Sequence, residues 1–180
     1  MAPSTTTASG VEVSGHIALA MIKGMAGIDK RYRHVLAEHE LDDPNTDSWY
    51  PLVEVLGIFE TLSAAAEPFV ISDMGTRVGD DAQFPTEIDS VQEAFTQVNA
   101  FLRSGHRGAG VGSYAFKKTG DNSGTIVCTT PYPCDFDRGF IEAVARRFRP
   151  RDSWDVTVVH EDSAPCRKRG GDCCTYFVQW

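Results

Sequence analysis

The sequence predicts an α+β fold, with N-terminal helices packed on a C-terminal antiparallel sheet of order β-β-α-β-β. Three observations predict it. Apolar residues recur at three- and four-residue spacing through the first hundred or so positions, the period shortens to two after the glycine-rich segment SGHRGAGVG, and one further helical stripe interrupts the strands. The chain has 180 residues, 42% of them hydrophobic, enough for one filled core. A single ligand-binding domain over residues 13–180 is therefore expected. It follows a disordered leader at 1–12, whose Thr, Ser, Pro and Ala offer no apolar period to offset the entropy of ordering.

Gly15 to Glu40 reads as two short helices, the second capped by Asp29 and carrying Tyr32, Val35, Leu36 and His39 on one stripe; Pro44 and Asn45 break it. Ser48 is placed to cap a helix with Pro51 in its first turn, along which Leu52, Val53, Leu56, Phe59 and Leu62 form the stripe. A further helix is expected around Phe69 to Val78. Another carries Ile88, Val91, Phe95, Val98, Phe101 and Leu102 and ends near Gly105. Val111 to Lys118 and Thr125 to Thr130 read as a hairpin closed by TGDNSG. Asp135 is the expected cap of a helix bearing Phe136, Phe140, Val144 and Phe148, followed by strands at Trp154 to His160 and Cys174 to Trp180.

Seventeen basic side chains stand against 25 acidic ones, a formal charge of −8, with no separate block of Lys and Arg to track a phosphate backbone. Nucleic acid is thereby excluded as a direct partner. MAPSTTTASG has neither a basic start nor an apolar stretch, and no apolar run approaches the roughly 20 residues of a membrane span, so a cytoplasmic chain is expected. In a reducing compartment thiols stay free or bind metal more often than they pair.

Four of the five cysteines fall within the last 47 positions. Cys166 and Cys174 flank a turn-forming loop that can fold two thiolates together, and Cys134 in PYPC is a third candidate. The fourth position of a tetrahedral site can be filled by Glu161, His160 or Asp162. Strand alternation puts Cys174 on one face with Tyr176, Val178 and Trp180, and Cys173 on the other. Buried free thiols that pack as small hydrophobes are the competing reading. Cys128 reads as core.

PYPCDFDRGFIEAVARRF, followed by a strand, an acidic residue and CRKRGGDCCTYFV, resembles the 4-vinyl reductase domain, including its version in aromatic-responsive bacterial transcription regulators. The resemblance implies zinc held by Cys134, Cys166 and Cys174, with seven residues between the last two, and by Glu161, which lies two positions further from Cys166 than the pattern has it. The wider order of elements is similar to the superfamily that also includes haem nitric-oxide-binding domains and transport-particle subunits. That implies a sensory or adaptor domain rather than an enzyme, with an apolar or aromatic small molecule between helices and sheet. Output would then pass through a homodimer or a signalling partner. Phe59, Phe95, Phe101 and Phe140 are the candidate pocket residues. The alternative is a haem-binding gas sensor using His106 as axial ligand, although CTTPYPCDFDR lacks the Tyr-x-Ser-x-Arg element of that branch and the glycines around His106 suggest a solvated loop. No nucleophile elbow, phosphate loop or dinucleotide fingerprint is present. His16, His34 and His39 read as ordinary helix residues, and Arg146 to Arg151 as a basic patch that favours a helix C-terminus.

Overall fold

The computed structural model describes residues 10–25, 30–65 and 68–180. The elements run β1 (Glu12–Ser14), α1 (Gly15–Gly24), α2 (Arg33–Glu38), β2 (Trp49–Pro51), α3 (Leu52–Ala64), α4 (Pro68–Asp81) and α5 (Val91–Ser104). They continue with β3 (His106–Arg107), β4 (Tyr114–Gly120), β5 (Ser123–Cys128), α6 (Cys134–Phe148), β6 (Thr157–His160), a 3₁₀ turn (Arg167–Arg169) and β7 (Cys174–Gln179). The expected α+β class and the β-β-α-β-β order of the C-terminal half are both present.

β4, β5, β7 and β6 form an antiparallel sheet in that spatial order. Alternation along β5 and β7 buries Gly124, Ile126 and Cys128 together with Cys174, Tyr176 and Val178. The layer packed on that buried face is α6, whose stripe of Phe136, Phe140, Ile141 and Val144 is buried in turn. α4 lies against α6 with backbones nearly touching. A Cβ at Gly75 would run into the Phe136 carbonyl, one at Gly139 into the Ser72 carbonyl, and Thr76 Oγ1 donates to the Gly139 carbonyl at 3.3 Å. α1 meets α4 in the same way, since a Cβ at Gly24 would collide with the Met74 backbone.

The sequence pattern does not reveal a second sheet of order β2-β1-β3, in which Val13 faces Tyr50 on one side and His106 on the other. Several boundaries move because of it. Val11 is buried and Glu12 lies in β1, so ordered chain begins inside the segment expected as leader; residues 1–9 and the Asp29 cap lie outside the described residues. Ser48 does not cap α3: its carbonyl accepts from Gly15 N at 2.8 Å, and Trp49–Pro51 are drawn into β2. Ser90 caps α5 in front of Glu93, which leaves Ile88 outside the helix. Pro133 precedes α6, so Asp135 lies in the first turn, where a carboxylate suits the helix dipole. Trp154 is 97% exposed and precedes β6.

Arg146 bonds Asp80 at 3.3 Å, Arg147 donates to the Ala82 carbonyl at 2.7 Å and lies over Phe84 and Phe148, and Arg149 reaches the Ser153 carbonyl. These arginines of the expected basic patch fasten the end of α6 to its surroundings.

Candidate functional site

Two centres carry chemistry, and each is organised around an imidazole. The first lies between the helical half and the sheet. α5 ends at Ser104, Gly105 turns the chain, and pairing with Val13 draws His106 inward until it is 6% exposed. It is not a solvated loop residue. The last carbonyls of a helix lack intrahelical partners; His106 Nδ1 donates to one of them, Leu102 O, at 2.8 Å. Because that oxygen can only accept, Nδ1 carries the proton and Nε2 holds the lone pair. Tyr132 Oη donates to Nε2 at 2.7 Å. Burial pushes the imidazole below its usual value, so it is neutral near pH 7.

The surrounding pocket is apolar. Ile17 and Met21 come from α1, Val78 from α4, Phe101 and Leu102 from α5, and Phe136 and Phe140 from α6, with Tyr114 and Tyr132 from the sheet side. In this closed form its volume is about 10 Å³, the room of one water. Tyr132 is the plug. Its ring stacks on Phe136 at 4.5 Å, meets Phe59 edge-on at 6.1 Å and presents its hydroxyl to His106. Met21 separates this pocket from a second apolar cavity between α1, α2, α3 and α4.

Of the four phenylalanines expected to line a pocket, Phe101 and Phe140 do, stacked on each other at 6.0 Å. Phe59 stands behind Tyr132, and Phe95 stacks on Phe116 at 5.3 Å, away from the cavity. Sequence reasoning missed Tyr132, which carries no periodic signal in the TTPYP turn.

The second centre joins the start of α6 to β6 and β7. Cys134, His160, Cys166 and Cys174 place one ligand atom each within 4.8 Å of one another. Cys134 Sγ stands 3.2 Å from Cys174 Sγ and 3.6 Å from Cys166 Sγ. His160 Nδ1 bonds Asp162 Oδ1 at 3.1 Å, while Nε2 is buried without a hydrogen-bond partner. Three soft sulfurs and one imidazole nitrogen are a donor set for a thiophilic cation. The Cys134 S–H hydrogen bond is the largest influence holding the Cys174 thiol low, against the opposing cost of burial, with the Arg167 backbone N–H, the neighbouring His160 ring and the Arg167 guanidinium adding to it; Cys134 is pushed up as its proton is shared. Glu161 is not in the cluster. It is exposed, and its carboxylate accepts from Ser163 N at 3.1 Å and Ser163 Oγ at 2.7 Å. Cys173 is half-buried on the opposite face, Cys128 is buried in β5 outside the cluster, and His16 and His34 are exposed. His39 pairs with Glu54 at 2.7 Å.

A buried ionic network lies between the centres. Arg167, next to Cys166, donates to Asp137 and to the Cys128 and Thr130 carbonyls, while Tyr114 Oη donates to Asp137 Oδ1 at 2.7 Å. Burial raises the Asp137 carboxyl to about 6, against the pull of Arg167 and its hydrogen bonds.

No family model and no curated protein matches the sequence. Solved structures do match the fold. An H-NOX protein from S. oneidensis in its Fe(II) state superposes with a TM-score of 0.66 at 15% identity, covering 92% of this chain and 95% of that one. An unliganded Fe(II) H-NOX protein from K. algicida gives 0.65 at 12% identity, covering 92% and 95%. A structure solved to study how porphyrin distortion modulates haem redox potential gives 0.64 at 12% identity, covering 93% and 99%. The fold is that of H-NOX domains.

Two expectations are corrected by these neighbours. The fold likeness is to haem-binding H-NOX structures and not to vinyl-reductase-type domains, and zinc as the principal cofactor is not supported. The physical reason lies in the placement of the thiols: they clasp α6 to the strands and take no part in lining the pocket. Among the described residues, no helix is long and apolar enough to cross a membrane.

Proposed function

We propose that this chain is a haem-binding gas-sensing domain in which His106 supplies the axial ligand. The observation that carries the reading is the setting of that imidazole: buried among apolar pocket walls, with Nδ1–H held by the Leu102 carbonyl and Nε2 accepting from the Tyr132 hydroxyl beside the pocket. Metal-ligating histidines characteristically donate their other ring N–H to a backbone carbonyl or carboxylate, which fixes tautomer and orientation. The chain's structural neighbours, among them an H-NOX protein in its Fe(II) state and a protein studied for porphyrin distortion, have the same fold.

The donor chemistry fits the group. When bound, haem would supply an iron able to take up a small gas reversibly. The chain's own residues do the rest. His106, just past the C-terminal end of α5, would hold the iron. Phe101, Phe140, Val78 and Met21 line the site with apolar surface, which would shield a bound haem from water. The closed pocket must widen to admit a group of that size. Met21, unbranched and adaptable, also borders the second apolar cavity, which has about 10 Å³ of room. Occupancy would favour the widened state over the closed one, the differential that a sensor requires.

The test is to purify the chain from haem-supplied cells and measure haem per chain with the absorption spectrum. About one haem with an intense Soret band is expected; a colourless chain that takes up no haemin would overturn the reading.

A second site is supported by a separate observation. The four ligand atoms of Cys134, His160, Cys166 and Cys174, all within 4.8 Å, would hold a thiophilic divalent cation as a closed, structural clasp. His160 takes the position expected of Glu161.

A further inference from the structure

Tyr132 occupies the atom that ligation needs. The Nε2 lone pair of His106 has one partner, the Tyr132 hydroxyl at 2.7 Å. Nδ1–H is committed to the Leu102 carbonyl, so the Tyr132 hydroxyl is the donor that Nε2 accepts. The hydroxyl and any metal ion therefore compete for a single lone pair.

We propose that Tyr132 is an internal competitor for His106 and sets the threshold at which the pocket is occupied; this rests on the haem reading above. The consequence is selectivity. An entering group that takes the Nε2 lone pair, a Lewis-acidic metal centre, compensates the lost Tyr132 bond. An apolar molecule that only fills space would leave the imidazole unsatisfied, and a buried polar atom without its partner costs more than a net hydrogen bond is worth.

Departure of Tyr132 also has a defined mechanical reach. Its ring leaves Phe136 and Phe59, and Pro133 joins it directly to Cys134, the first residue of α6 and a member of the thiol cluster. The same movement that frees His106 therefore pulls on the start of the helix that packs backbone to backbone on α4.

The experiment compares wild type, Tyr132→Phe and His106→Ala. Phenylalanine keeps the ring stacked on Phe136 and removes only the donor. In the haem-free proteins, ¹⁵N NMR of the His106 imidazole reads the hydrogen bond at Nε2, a signal that packing alone does not move. Haemin titrations then read affinity. The expected result is a shifted Nε2 resonance and a roughly 2- to 10-fold tighter haemin affinity in Tyr132→Phe, with His106→Ala losing the imidazole-ligated spectrum. Haemin binding by Tyr132→Phe but not by wild type would support the inference more strongly. Equal or weaker affinity in Tyr132→Phe, with wild type still ligated through His106, would overturn the competitor role and leave the haem reading intact. An unmoved Nε2 resonance would overturn it as well. Absence of binding in both proteins would instead sink the haem reading.

Discussion

His106 and His160 are two buried-facing imidazoles in the same molecule, and their difference separates the two centres. Both commit Nδ1, one to the Leu102 carbonyl and the other to Asp162. At His106, Nε2 is satisfied by Tyr132; at His160, Nε2 faces three sulfurs without a hydrogen-bond partner. Buried polar atoms are nearly always paired, and an exception calls for an explanation. The satisfied ring lines an apolar pocket that Tyr132 plugs. The unsatisfied ring lies with Cys134, Cys166 and Cys174, the cluster proposed above to hold a cation.

The comparison can be broken most forcefully at the thiols. Cys174→Ser is expected to abolish cobalt(II) uptake, read from the thiolate-to-metal absorption, and to destabilise the chain by on the order of 4 kcal/mol. Unchanged denaturant midpoints and metal content would mean that the cluster is only a packed group of free thiols.

The strut between the centres comes next. Gly139→Ala would drive a Cβ into the Ser72 carbonyl of α4, and overpacking of this kind costs about 1–3 kcal/mol. A melting temperature equal to wild type would show that α4 and α6 are free to part without cost.

The third effect is a pH dependence confined to the pocket. His106 titrates below the usual imidazole value in the fold because burial disfavours the cation. The unfolded chain therefore binds the proton first as pH falls. Stability is fully present above about 6.5 and is lost progressively below it, towards the lower folded value. Melting temperature should fall more between pH 7.5 and 5.5 in wild type than in His106→Gln, and parallel curves would contradict the neutral assignment. The smallest effect is expected at Glu161. Its exposed carboxylate bonds only Ser163, so Glu161→Gln should change stability by less than about 0.5 kcal/mol and leave cobalt uptake intact, whereas His160→Ala should weaken uptake.

How far the sequence was legible follows from the range of the signal. Elements with several turns of apolar spacing, such as α3 with Leu52, Leu56, Phe59 and Leu62, and α5 with Phe95, Val98 and Leu102, could be read directly. β1, β2 and β3 have two or three residues each, too few for a period, and they exist because distant segments pair. That pairing is what buries His106, so flanking glycines alone suggested exposure. Tyr132 was missed for the same reason. His160 stood with Glu161 and Asp162 among the candidates for the fourth position, and strand alternation separates them. Val158 and His160 are the less exposed pair along β6, and carrying the alternation one position further sends Glu161 outward. Cys174 shows the rule succeeding, with Tyr176, Val178 and Trp180 buried beside it.

The central claim, that His106 is the ligand around which the pocket is built, is tested most directly by imidazole rescue. His106→Gly should lose the Soret spectrum of the haem-loaded wild type and recover it when free imidazole is added. A His106→Gly chain that retains the wild-type spectrum without imidazole would contradict the account.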